Sequence, residues 1–203
     1  MSKADDTARN SSGFSRRAFL RGSGAAAAAS ALASAPATLI AKDESPSLVS
    51  GSTTIVLKVN GQPQKVTVEP RTKLLEALRY GLNLTGAKPI SVDGSSGGST
   101  VLVDGKPVAA NSMLALQCVG KSIQTVEGLA PESLPAAFAH HDASQCGFCT
   151  PGFVVAAKAF LDKHPNATED DIRKNLNGNL CRCGTYANII PAVLDVVKGA
   201  RNG

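Results

Sequence analysis

Four of the five cysteines fall into two tight pairs, and nothing else in the sequence limits the fold so severely. "QCGFCTPG" holds Cys146-x2-Cys149, and "LCRCGTY" holds Cys181-x-Cys183. The segment between them has the periodicity of one helical hairpin. Closing that hairpin can bring four thiolates around one soft metal centre. Each pair lies in a glycine-containing turn at a predicted helix start, where backbone N–H groups can face sulfur and stabilise its charge. A [2Fe–2S] cluster and structural zinc both take four cysteines, and on spacing alone they stand level. Two disulfides are the third reading. A bridge inside Cys181-x-Cys183 would be strained, so the bridges would have to cross. Cys118 stands apart in a predicted strand and reads as a buried apolar side chain.

The elements around the cysteines follow from local pattern. "TTIVLKVNGQPQKVTVEP" (53–70) alternates apolar and polar residues on both sides of Asn60-Gly61, a β-hairpin signal. "TKLLEALRYGL" (72–82) has helical spacing, with Thr72 as N-cap and Gly81 as stop. A second hairpin over 99–110 turns at Asp104-Gly105, and 112–129 reads as one or two more strands. From Pro131 the period changes to that of helices, over 131–144, 151–164, 168–177 and 187–199. Thr168 with Asp171 resembles a capping box, and Pro151 suits a first helical turn. His140 and His141 are neighbours on a helix and face different directions, so no shared metal is read there.

Charge and composition point to export rather than to a polyanionic partner. Five of the 21 basic residues lie in the first 41 positions, against two acids, and the rest of the chain is nearly neutral. With six Phe, two Tyr and no Trp, stacking on nucleic acid is poorly supported, and no nucleic acid partner is expected. "SRRAFLRG" (15–22) followed by "AAAAASALASAPATLIA" (25–41) combines twin arginines, a mild apolar stretch and A-x-A sites. Residues 1–41 therefore read as a Tat signal peptide cut within 31–41, with periplasmic delivery of folded cargo. The stretch is built of Ala and carries Pro36, so no stable membrane span is expected. Residues 42–52 read as a linker.

The words around the cysteines carry a resemblance. "LRYGLNLTGAK", "VLVDGKPV", "QTVEGLA", "QCGFCTPGF" and "GNLCRCGTY" resemble, in order, the iron–sulfur small subunits of the molybdenum hydroxylases, the xanthine dehydrogenase and aldehyde oxidase family. The likeness is closest to the small subunits of aldehyde and isoquinoline-type oxidoreductases. It implies an α+β fold: a β-grasp ferredoxin-like domain over 53–130, then a four-helix [2Fe–2S]-binding domain over 131–203. Carried over by position, Cys146, Cys149, Cys181 and Cys183 are the ligands of the helical-domain cluster. Cys183 and Gln145 also match residues beside the molybdenum pterin, a cofactor held by a large partner subunit.

The first half departs from that pattern. The family loop has four cysteines at the ferredoxin spacing, x4, x2 and then x11. Those positions are Ser91, Ser96, Ser99 and Asn111 here. Serine ligates iron only as an alkoxide, so the β-grasp domain is expected to be present, empty and looser, with one [2Fe–2S] cluster in the chain. The resemblance implies an electron-transfer subunit of a periplasmic enzyme that hydroxylates an aldehyde or N-heterocycle. The chain would not act alone, and a cytochrome or flavin would accept the electrons. A non-redox structural or assembly subunit is the alternative.

Overall fold

The computed structural model describes residues 50–131 and 133–202; the expected signal peptide and nearly all of the expected linker lie outside them. Strands β1 (Thr53–Val59) and β2 (Gln62–Val68) form an antiparallel hairpin with Val59 opposite Gln62. Asn60 and Gly61 have φ of 49° and 81°, the left-handed pair that a two-residue turn requires. Ile55, Leu57, Val59, Val66 and Val68 point inward and are buried. The second hairpin, β3 (Thr100–Val103) with β4 (Lys106–Ala109), turns at Asp104 and Gly105, again at positive φ. Strand β5 (Ser122–Gln124) joins the hairpins, parallel to β1 and antiparallel to β3, in the order β2-β1-β5-β3-β4.

Three local expectations are corrected. Only three residues of 112–129 are strand; Ala115–Cys118 and Val126–Gly128 are 3-10 turns. The sheet needs so little because the turns supply part of the bonding: Asn60 N–H donates to Ile123 O, and Asp104 N–H to Ser122 O, both at 2.8 Å. Cys118 thus ends a 3-10 turn rather than lying in a strand, though it is fully buried. Helix α1 is a short α-turn, Leu74–Glu76, that widens into a π-helix over Ala77–Gly81. Its N-cap is Lys73, whose N–H donates to Glu76 Oε2 at 2.9 Å. Thr72 instead closes the preceding turn, its hydroxyl accepting from Glu69 N–H at 2.9 Å. Gly81 does end the helix, but a Cβ there would run into Val66 Cγ2, so the glycine serves close approach to β2.

Helices α2 (Leu134–His140), α3 (Thr150–Leu161), α4 (Glu169–Asn175) and α5 (Tyr186–Asn202) follow. Thr168 and Asp171 close the expected box: Asp171 N–H donates to Thr168 Oγ1 at 3.3 Å, and Thr168 N–H to Asp171 Oδ2 at 2.9 Å. Hydrogen bonds from the Thr168 hydroxyl and N–H hold the Asp171 carboxyl below its usual value.

Two apolar clusters meet at β3, whose four residues are all buried. Val101 and Val103 join Leu57, Leu74, Leu78 and Ile123 on the α1 side. Leu102 joins Phe153, Val155 and Ile189 on the helical side. The crossing is tight at Gly152, where a Cβ would collide with the Gly97 carbonyl oxygen and lie 3.0 Å from Asn179 Nδ2. Backbone cannot step aside as a side chain can. Gly152→Ala is expected to cost about 1–3 kcal/mol through overpacking, read as a lower denaturation midpoint at unchanged slope. A wild-type midpoint would refute the close contact.

Candidate metal centre

The chain reaches the first cysteine pair at the mouth of α3. Gly147, between Cys146 and Cys149, sits at φ 78°, a left-handed turn that favours glycine. Cys149 is the N-cap of α3, and Pro151 lies in the helix's first turn, where no N–H is needed. The second pair lies on the segment between α4 and α5, with Gly184 at φ 79° after Cys183. Thr185 and Tyr186 then open α5 and reach back. Thr185 N–H donates to Cys181 Sγ at 3.4 Å, and its hydroxyl lies 3.0 Å from the same sulfur. Tyr186 Oη accepts the Cys181 N–H at 2.7 Å.

The two segments face one another through their thiols, Cys146 with Cys183 and Cys149 with Cys181, near enough for each to shift the titration of the other. Burial pushes the Cys149 thiol up to about 12, reinforced by the hydrogen bond to Cys181 and the nearby Cys181 and Cys146 charges. On Cys181 burial is also the largest influence and acts upward. Bonds from the Thr185 hydroxyl and N–H, the Cys149 thiol and the Cys183 N–H together outweigh it, bringing that thiol down to about 7. Cys146 is lowered, chiefly by the Phe148 N–H and then by Cys183. Cys183 is raised: the Cys146 N–H lowers it, but its bond to the Cys146 thiol, burial and the neighbouring thiolates prevail. Each pair therefore holds one sulfur shifted down beside one shifted up.

This donor set suits a bridged two-iron centre. Four free cysteines on two segments are the donor set that a [2Fe–2S] cluster takes across two irons. All five cysteines are free thiols. Cys149 and Cys181 are buried, whereas Cys146 and Cys183 are exposed, as is Gln145 beside them. Phe148, Leu180 and Tyr186 add exposed apolar surface to the same rim. His141, away from this site, meets Asp195 through Nε2 at 3.3 Å.

The positions of the absent ligands also converge. Ser91 Oγ lies 2.9 Å from Ser96 Oγ, and Ser99 Oγ donates to Asn111 Oδ1 at 2.8 Å. Asn111 Nδ2 closes the set onto the Ser91 carbonyl. None of the four offers a thiolate, so these residues do not fit a second iron–sulfur cluster. Sequence reasoning placed all of these positions, but missed Thr185, Tyr186 and Asn179. A threonine four residues after Cys181 and directly ahead of an apolar-periodic run was the available signal for the first.

A family described as "[2Fe-2S] binding domain" matches residues 125–194. The nicotinate dehydrogenase small FeS subunit of Eubacterium barkeri is 40% identical over 153 residues, spanning 73% of this chain and 98% of that one. The chain belongs to the iron–sulfur subunits of the molybdenum hydroxylases. Another member, the aldehyde oxidoreductase iron-sulfur-binding subunit PaoA of Escherichia coli O157:H7, is 38% identical across 90% of this chain and 87% of its own. The crystal structure of quinoline 2-oxidoreductase from Pseudomonas putida 86 contains a chain that superposes with a TM-score of 0.71 at 42% identity. That match covers 76% of this chain and 99% of that one. As an iron–sulfur subunit of this family, the protein is part of an oxidoreductase.

Proposed function

We propose that the chain is the electron-transfer subunit of a periplasmic molybdenum hydroxylase acting on an aldehyde or N-heterocycle. In this reading a β-grasp domain, 53–130, precedes a four-helix domain, 131–203, and one [2Fe–2S] cluster is held by Cys146, Cys149, Cys181 and Cys183. The observation that carries it is the set of four free thiols on the two segments that lead into α3 and α5, with the Thr185 N–H and hydroxyl directed at Cys181 Sγ. Such a centre supplies one-electron steps between a two-electron oxidation and its acceptor. The chain's own residues hold the ligands, bury one side of the site and direct amide hydrogens at sulfur. The exposed rim of Gln145, Cys146, Phe148 and Cys183 would face the large subunit and its molybdenum cofactor. A cytochrome or flavin would receive the electrons.

Iron analysis and low-temperature EPR of the reduced complex test the cluster. About two irons per chain and one signal are expected; an iron-free complex would leave only the structural alternative. Export is tested separately. Arg16→Lys with Arg17→Lys is expected to leave the subunit in the cytoplasm, because a Tat signal is read through its arginine pair. Cell fractionation reads the outcome, and normal periplasmic yield of the double variant would sink the export reading.

A further inference from the structure

The loop that lacks its cluster ligands leans directly on the segment that carries Cys181. Leu180 N–H donates to Ser96 O at 3.0 Å, one residue before the cysteine. Asn179 Nδ2 donates to Gly97 O at 2.9 Å. The approach leaves no room for a side chain: a Cβ on Gly97 would stand 2.5 Å from Asn179 Nδ2 and 2.7 Å from Gly178 O. Asn179 itself is buried, at 6% exposure. The carbonyls of Ser96 and Gly97 are thus the backrest of residues 178–181.

What fixes those carbonyls is the set of side chains at the former ligand positions. Ser96, Ser99 and Asn111 are buried. Ser91 Oγ accepts the Ser96 N–H at 3.1 Å, and Ser96 Oγ the Gly98 N–H at 3.4 Å. Asn111 uses both ends of its amide, accepting from Ser99 and donating to Ser91 O. Serine at 111 could not serve both partners in the same directions, which accounts for an amide at that position. Thr100 Oγ1 adds a donor to Gly97 O at 2.6 Å. A [2Fe–2S] cluster ties its loop by bonding four side chains to one core. Here hydrogen bonds tie the same four positions.

We propose that Ser91, Ser96, Ser99 and Asn111 form an iron-free tetrad that holds residues 96–97 as the support of Asn179 and Leu180, and so positions Cys181 in the remaining centre. These four are positioning residues; none touches the cluster. The inference rests on the proposed helical-domain cluster and extends it across the chain. It runs against the expectation of a looser loop, since buried and mutually satisfied polar groups rigidify the structure around them.

The test uses the full chain, purified anaerobically with its molybdenum partner, as wild type, Asn111→Ala, Ser96→Ala and Ser95→Ala. Ser95 bonds only Asp93 at the exposed loop tip and serves as the control. Wild type should hold about two irons and one EPR signal. Asn111→Ala and Ser96→Ala should keep that iron, while the g-values and midpoint potential of the signal move. Ser95→Ala should match wild type. Iron-loaded tetrad variants with wild-type g-values and potential would overturn the positioning role alone. Four irons and two signals in wild type would overturn the iron-free tetrad. An iron-free wild type would overturn the cluster reading and this one with it. Should the variants fail to assemble, hydrogen exchange on wild type decides. Peptides covering 96–99 and 178–181 should exchange together, about tenfold or more slower than the tip at 92–95. Fast exchange at 178–181 would overturn the proposal.

Discussion

Cys149→Ser is expected to empty the proposed [2Fe–2S] centre. Iron falls from about two per chain to near none, and the reduced EPR signal disappears. The reason is electrostatic as much as chemical. Cys149 is 8% exposed, and burial already pushes its thiol to about 12. Only the charge of bound iron offsets that penalty, and a serine hydroxyl begins far less acidic than a thiol. Electron transfer through the complex should fall by more than the roughly 10–100-fold typical of removing an outer hydrogen-bond partner. Thr185→Val supplies that milder comparison, since it removes the hydroxyl beside Cys181 Sγ and leaves the four ligands in place. If Cys149→Ser retains two irons and an unaltered signal, the ligand assignment is wrong.

Phe153→Ala should cause the largest loss of stability from a single apolar truncation. Phe153 is 1% exposed, at the centre of the helical core. Its N–H donates to Cys149 O at 3.1 Å, and its ring stands edge to face with Tyr186, centroids 6.0 Å apart. Truncating a buried Phe to Ala costs about 3–5 kcal/mol through lost burial and the cavity left behind. In a domain of this size that lowers Tm by roughly 10 °C. Because Tyr186 Oη holds the Cys181 N–H, the variant should also lose iron at a lower temperature than wild type. Differential scanning calorimetry with parallel iron release checks both. A Tm within about 2 °C of wild type would show that Phe153 is not central to the helical core.

Legibility in the sequence followed the range of the interaction. Asn60-Gly61 and Asp104-Gly105 turn their hairpins because left-handed φ is a demand on the residues themselves. Thr168 and Asp171 cap α4 through bonds that span three residues. The strand β5 was harder, because three residues carry too little alternation to be read and its place depends on both hairpins. Cys118 was assigned to a strand for the same reason. Thr72 looked like an N-cap, but a turn to Glu69 claimed its hydroxyl first. Only the Asn-Gly turn was legible at Asn60; its side-chain amide also clasps Thr125, 65 residues away.

The sequence by itself determined the candidate donors of the centre. Cysteine identity, the x2 and x spacings and the glycines at 147 and 184 are local properties, and they mark two cysteine pairs at two helix starts, while the choice of iron–sulfur over zinc came from the family resemblance. It likewise determined what is missing, since no arrangement of Ser91, Ser96, Ser99 and Asn111 yields a thiolate. Tertiary structure alone decided which sulfur meets which, because Cys146 with Cys183 and Cys149 with Cys181 are pairs across two segments. It alone decided that the serine loop supports Leu180. That contact joins residues more than eighty positions apart, on chain that leads directly into β3, where the two apolar clusters meet.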